Sequence, residues 1–149
     1  MDAALVDLLL AIAHHGLAFL LAALLAAELV LVRTGLDARG LPLLGRIDGV
    51  YGMTAGLLIL VGICRVIFGL KGWEFYVQNP VFWLKMAALA AVGLLSIPPT
   101  RRIIRWRLAA PGIVPDAEIA ALRNWLKAQA GFFALILIFA AAMARGFGY

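Results

Sequence analysis

The sequence predicts an all-α membrane protein folded as a four-transmembrane-helix up-and-down bundle, and three observations carry that expectation. Of the 149 residues, 65% are hydrophobic and mean hydropathy is +1.02, against roughly 45–50% apolar residues in soluble domains. Four windows, residues 5–32, 50–70, 81–97 and 122–144, each approach the ~20 residues that cross ~30 Å of hydrocarbon at 1.5 Å per residue. Basic residues gather beside these windows: Arg33, Arg39 and Arg46 lie between the first two, and Arg101, Arg102, Arg105 and Arg107 follow the third. Lysine and arginine flanking spans mark the cytoplasmic side, so connections 33–49 and 98–121 are expected there, with both termini and residues 71–80 opposite. That placement accounts for the net charge of +5 with the lipid bilayer as partner and no nucleic acid. Only short segments lie outside the spans, so one integral domain, residues 1–149, is expected, with any site between helices.

The first span opens on "MDAALVD", acidic where a secretory signal carries a basic region, and its apolar run is too long for a signal core. It reads as a retained span. "TGLDARGLPLLGRIDG" is rich in Gly and Pro and reads as a connector to the second span. Within that span Gly52 and Gly56 form a GxxxG pair, a device for close helix approach, and Ala87, Ala88, Ala91 and Gly93 recur in the third. Pro80 is placed to open the third span as a first-turn proline, and "SIPPTRR" is expected to end it, because two prolines break the hydrogen-bond ladder. In "PDAEIAALRNWLKAQ" Asp116 reads as an N-cap and Ile119, Leu122 and Leu126 recur at helical spacing. A short interfacial amphipathic helix before the fourth span is therefore expected. Trp73 and Trp83 fit an aromatic belt at one interface, Trp106 and Trp125 at the other. Cys64 is the single cysteine, which excludes a disulfide framework and a cysteine-rich metal site.

Ionisable residues within the spans are the candidate functional groups: His14, His15, Arg65, Lys85 and Glu28. A charge at mid-bilayer costs at least ~2.5–3.5 kcal/mol on insertion scales, so such side chains face the bundle interior or the interface. At 1.5 Å per residue His14 lies roughly 14 Å along the first span and Lys85 about 7 Å into the third, with Arg65 in the last turns of the second. One imidazole and two cations thus converge on one half of the bundle. Glu28 shares the face of His14 within about 40° but lies about 21 Å away. Its expected partner is Arg33 or Arg46. A neutral imidazole is a good ligand for haem iron, and the two haem propionates need basic partners. His14, or alternatively His15, as axial ligand with Arg65 or Lys85 on a propionate meets both needs. The two histidines project about 100° apart and cannot clamp one iron. A sixth ligand would come from Lys85, Met53, Met86, water or another chain.

The runs "HHGLAFLLAALLAAELVLVR", "RIDGVYGMTAGLLILVGICRVIFGLKGWEFYVQNPVFWLKM" and "SIPPTRRIIRW" resemble a family of uncharacterised four-span bacterial inner-membrane proteins, filed as a domain of unknown function. The resemblance covers nearly the whole chain and implies residence in the bacterial inner membrane, with both termini periplasmic. More remotely, the layout is similar to the haem-containing protoporphyrinogen oxidase of bacteria. In that family a histidine of the N-terminal span binds haem b and a lysine follows an aromatic residue early in a later span; His14 or His15, and Lys85 in "FWLKM", match those positions. This chain has no third histidine, so bis-histidine ligation within one subunit is ruled out.

Two functions are expected on these grounds. The first is a haem-b-binding inner-membrane redox protein, protoporphyrinogen-oxidase-like. The second is a non-catalytic accessory subunit packed against a larger respiratory, photosynthetic or transport complex, or against further copies of itself. A small transporter lacks the repeats and broken helices expected of that class.

Overall fold

Four long helices and one short one make up the computed structural model, which describes residues 2–109 and 112–148. The helices are α1 (Ala3–Leu31), α2 (Leu41–Phe68), α3 (Gly72–Val77), α4 (Pro80–Ala109) and α5 (Asp116–Ala144). All four long helices are long and apolar enough to cross a membrane. Residues 110 and 111 of the connection after the third span, and residues 1 and 149, lie outside the described residues.

Each helix starts where the local chemistry favours it. Asp2 caps α1 by accepting from the Ala4 amide at 3.2 Å, satisfying one orphan donor of the first turn. After α1 the chain reverses through Gly35, whose φ of +77° suits a residue without Cβ. The Asp37 carboxylate then accepts from the Arg39 and Gly40 amides at 3.1 Å each, and Pro42 follows in the first turn of α2. Asn79 is fully buried; its Oδ1 accepts from the Val81 amide at 2.8 Å, and Pro80 begins α4 as a first-turn proline.

The long helices alternate in direction and pack in the ring α1–α2–α4–α5, with the α1/α2 and α4/α5 pairs in closest contact. At one end Asn79 Nδ2 donates to the Phe147 carbonyl at 3.2 Å, drawing the end of α5 to the start of α4. At the other end the Val114 amide donates to the Leu36 carbonyl at 2.9 Å, joining the first and last connections. Arg123 of α5 donates to the Leu29 and Val32 carbonyls. These are the end of α1, where carbonyls have no partner within the helix. Between the ends, Leu21, Leu25, Leu58, Val92 and Phe133 form the central apolar layer of the core. Residues such as Phe19, Leu60, Leu94 and Ile138 point outward, as lipid-facing positions of a spanning bundle do.

Several sequence expectations change in detail. Helix α2 begins at Leu41, nine residues before the expected span. Helix α4 runs straight through Pro98 and Pro99 to Ala109 instead of ending at "SIPPTRR". The prolines remove ladder bonds to the Leu94 and Leu95 carbonyls, but the turns beyond them bury Ile103 completely and Trp106 to 4% exposure. Tertiary burial therefore outweighs the two missing bonds. Trp106 is correspondingly no belt residue, and its Nε1 donates to Glu118 at 2.6 Å. The amphipathic segment expected before the fourth span is present but continuous with it: Ile119, Leu122, Leu126, Gln129 and Phe133 form one buried stripe of α5. Asp116 is the first helical residue, with Pro115 at the cap position. Gly52 and Gly56 face outward with open space at their Cβ positions, so they join no helix pair within the chain. The short helix α3 had no sequence signal beyond Gly72, whose φ is +74°.

Candidate functional site

Two polar centres occupy opposite halves of the bundle, separated by the central apolar layer. One, called the outer centre for its place at the end of the bundle that carries Asp2 and Gly148, is assembled from all five helices. Its main cavity, about 290 Å³, is bounded by His14 of α1, Arg65 of α2, Tyr76 of α3, and Lys85 and Met86 of α4. Apolar walls come from Leu58, Ile59, Val66, Phe82, Leu89 and Ile136. A second cavity of about 210 Å³ shares His14, Arg65, Tyr76 and Lys85 and extends toward Asp7, His15 and Lys71. The shared residues make the two cavities one polar-floored space below α3.

The sequence left open which histidine faces this space. His14 lines both cavities; His15 lines only the second and is exposed. The His15 Nδ1–H donates to the Ala11 carbonyl of its own helix at 2.7 Å, and its ring stands nearly perpendicular to that of His14, at 89° and 6.2 Å. His14 Nδ1 is buried and has no hydrogen-bond partner. Its imidazole packs against Gly62 of α2, where a Cβ would meet His14 Cε1 at 3.4 Å and Nδ1 at 3.7 Å, ordinary contact distances that leave little space for a side chain larger than alanine. No repeat or motif singled Gly62 out.

Arg65 and Lys85 reach the same space, each close enough to His14 for its charge to act on the imidazole. The Arg65 Nε is buried and unpartnered. Among the described residues neither cation forms a hydrogen bond or ion pair; the single salt bridge is Arg105–Glu118, at the other end. Asp7 borders the second cavity but approaches neither cation within bridging distance. Lys71 sits at the rim with its Nζ 4.4 Å from the centre of the Phe75 ring, a cation–π contact. The outcome, among the described residues, is an apolar cavity with an imidazole that makes no hydrogen bond and two cations without an acidic partner. In a low-dielectric setting such a lining is chemically suited to an apolar molecule carrying acidic groups. Met53 is removed from the set of possible iron ligands, being 65% exposed on the outer face of α2, whereas Met86 lines the cavity.

The inner centre holds Glu28, 1% exposed, without either expected partner: neither Arg33 nor Arg46 bonds to it, and both are exposed. Its neighbours are instead Asp48 and Tyr51 of α2, near enough for charge interaction. Asp48 Oδ1 accepts from Thr100 Oγ1 at 2.8 Å, and Gln129 Nε2 donates to the Tyr51 hydroxyl at 2.6 Å across the bundle axis. None of Asp48, Tyr51, Thr100 or Gln129 stood out in the sequence. Asp48 looked like part of a connector, and a neutral amide or hydroxyl in a span carries no charge penalty to flag it.

Residues 6–148 match the model of a family described as predicted membrane protein (DUF2214). The chain belongs to this family. The match takes in α1 from residue 6, all of α2 to α5 and both polar centres. No curated protein and no solved structure matches the chain.

Proposed function

We propose that this membrane protein binds haem b in the outer cavity and serves as a redox protein of the bacterial inner membrane. The observation that supports the reading best is the pairing of a half-buried imidazole, whose Nδ1 has no hydrogen-bond partner among the described residues, with two cations that no described acidic side chain pairs, on the floor of an apolar cavity. The residues fit the group on three counts. His14 supplies a free nitrogen for iron, Arg65 and Lys85 supply partners for propionates, and the imidazole packs against Gly62, where little space is left for a larger side chain. Met86 and Lys85 border the same space, and either could offer a further ligand atom to a bound haem. Bound haem supplies one-electron chemistry. The chain's own part is to hold the ring, neutralise its acidic groups and exclude water with the walls formed by Leu58, Phe82 and Leu89. A porphyrinogen, like haem an apolar ring bearing carboxylates, is the substrate class this reading favours. In the orientation that the flanking arginines favour, both chain ends and α3 face the periplasm.

Reconstitution tests the reading directly. Purified protein supplied with haem is expected to show a Soret band at one haem per chain, lost in His14→Ala and kept in His15→Ala. Absence of any stoichiometric Soret band would sink it.

A second reading, an accessory subunit, is favoured by one observation. Gly52 and Gly56 present a smooth, open strip on the outer face of α2, where another membrane helix can approach closely. Native mass spectrometry decides it: a partner or second copy lost on Gly56→Leu supports the reading, and a solitary chain counts against it.

A further inference from the structure

The inner polar centre is not used by haem binding. Glu28 lies 14 residues from His14 along α1, about 21 Å at 1.5 Å per residue, and Leu21, Leu25, Leu58 and Phe133 fill the space between. Each of the four long helices contributes a polar side chain to this centre: Glu28 from α1, Asp48 and Tyr51 from α2, Thr100 from α4 and Gln129 from α5. Two carboxyl groups within repulsive range, 1% and 8% exposed, are costly as carboxylates in a low-dielectric interior unless they take up a proton or a positive charge joins them.

Among the described residues no side chain provides that charge. Arg123 of α5 donates from Nη1 to the Leu29 and Val32 carbonyls and pairs with neither carboxyl. Arg33, Arg46 and Arg101 are exposed, and no ion pair reaches either carboxyl among the described residues. Two acceptors are also left over. Glu28 Oε1 and Gln129 Oε1 are buried without a hydrogen-bond partner, each on a side chain only 1% exposed. Gln129 commits its Nε2 to the Tyr51 hydroxyl, a group near enough to Glu28 and Asp48 to feel their charge, and its own carbonyl oxygen is left without a partner. The available donors are all oxygens, with no imidazole or thiolate among them. Oxygen-only sets select hard cations, whereas zinc, copper and iron favour nitrogen and sulfur.

We propose that Glu28, Asp48 and Gln129 bind a hard metal cation, of the alkali or alkaline-earth class, at the arginine-bearing end of the bundle. The ion neutralises the carboxyl pair, engages the two spare oxygens and ties α1, α2 and α5 together. Thr100 and Tyr51 position Asp48 and Gln129 through the hydrogen bonds they make. The slight exposure of Asp48 gives the ion its approach.

The test uses the full-length chain in detergent, exchanged into choline chloride and titrated with NaCl, KCl, MgCl2 or CaCl2 at constant ionic strength. Thermal unfolding is followed by tryptophan fluorescence, and equilibrium dialysis with radiolabelled sodium or calcium counts bound ions. One of these cations is expected to raise Tm saturably over choline. Where the responding cation is sodium or calcium, the dialysis should show one ion per chain. Glu28→Gln and Asp48→Asn are each expected to weaken its binding by about 10-fold or more, the loss of one charge-assisted contact, with haem titration at the outer cavity unchanged. The proposal is overturned if no cation shifts Tm relative to choline. Equal shifts in wild type and both variants, the mark of ionic strength, also overturn it, as does stabilisation by acid alone, the mark of protonation. Should the variants not fold, the wild-type titration decides: a saturable Tm rise specific to one cation supports the site, and its absence overturns it.

Discussion

Replacing Lys85 by methionine probes the outer cavity with little change of shape, because methionine keeps the apolar stem and removes only the ammonium. In the free protein the change breaks no bond: Lys85 makes no hydrogen bond or ion pair among the described residues, and it lies near Arg65, a like charge. Folding stability is therefore expected to hold or rise. Ligand binding is where the cost falls. A propionate deprived of the ammonium loses one charge-assisted hydrogen bond, about 1.5–3 kcal/mol, which corresponds to about 10–150-fold in Kd. Coulomb's law sets a ceiling of the same order, about 4 kcal/mol for unit charges ~4 Å apart at an effective dielectric near 20. The assay is haem titration followed at the Soret band, with Lys85→Arg as the conservative variant that restores most of the affinity. Lys71→Met removes a cation from the rim, where Lys71 stacks on Phe75, and is expected to change Kd by no more than about 5-fold, since exposed pairs are worth ~0.2–1 kcal/mol. A folded Lys85→Met protein that binds haem within twofold of wild type would refute the reasoning.

Three further outcomes follow from the packing. Gly62→Val directs branched methyls at the His14 ring, whose Cε1 already stands 3.4 Å from the Cβ position; loss of haem binding with retained helicity by circular dichroism is expected, and unaltered binding would remove Gly62 from the site. Arg123→Met leaves two carbonyls at the end of α1 without their donor and is expected to destabilise by about 2–4 kcal/mol in denaturant or thermal unfolding; no change would mean that other donors take over. Pro98→Ala restores an amide that can donate to the Leu94 carbonyl within an unbroken helix, so a gain of up to about 3 kcal/mol is expected, and a loss would show that the proline ring itself packs.

Sequence alone disclosed the four spans and the polar half of the bundle that holds His14, Arg65 and Lys85, because a charged side chain in an apolar run is conspicuous. Helix ends were harder to place. The prolines of "SIPPTRR" are strong local breakers, and only the burial of Ile103 and Trp106 beyond them overrides the local preference. Choosing between the histidines needed the rotation of α1 about its own axis, which a uniformly apolar helix does not record; the hydrophobic run around His14 has no polar face to orient it. Glu28 was visible, but its company was not. Asp48 looked like a connector residue until α2 was seen to begin at Leu41, and Gln129 joins Tyr51 only through a contact 78 positions apart in the chain.

The proposed function turns on His14, not His15, as the residue that holds haem in the outer cavity. An absorption spectrum of haem-reconstituted wild type, His14→Ala and His15→Ala tests it most directly. The expected result is a stoichiometric Soret band in wild type and His15→Ala and none in His14→Ala. A band that survives in His14→Ala, or that vanishes only in His15→Ala, would contradict it.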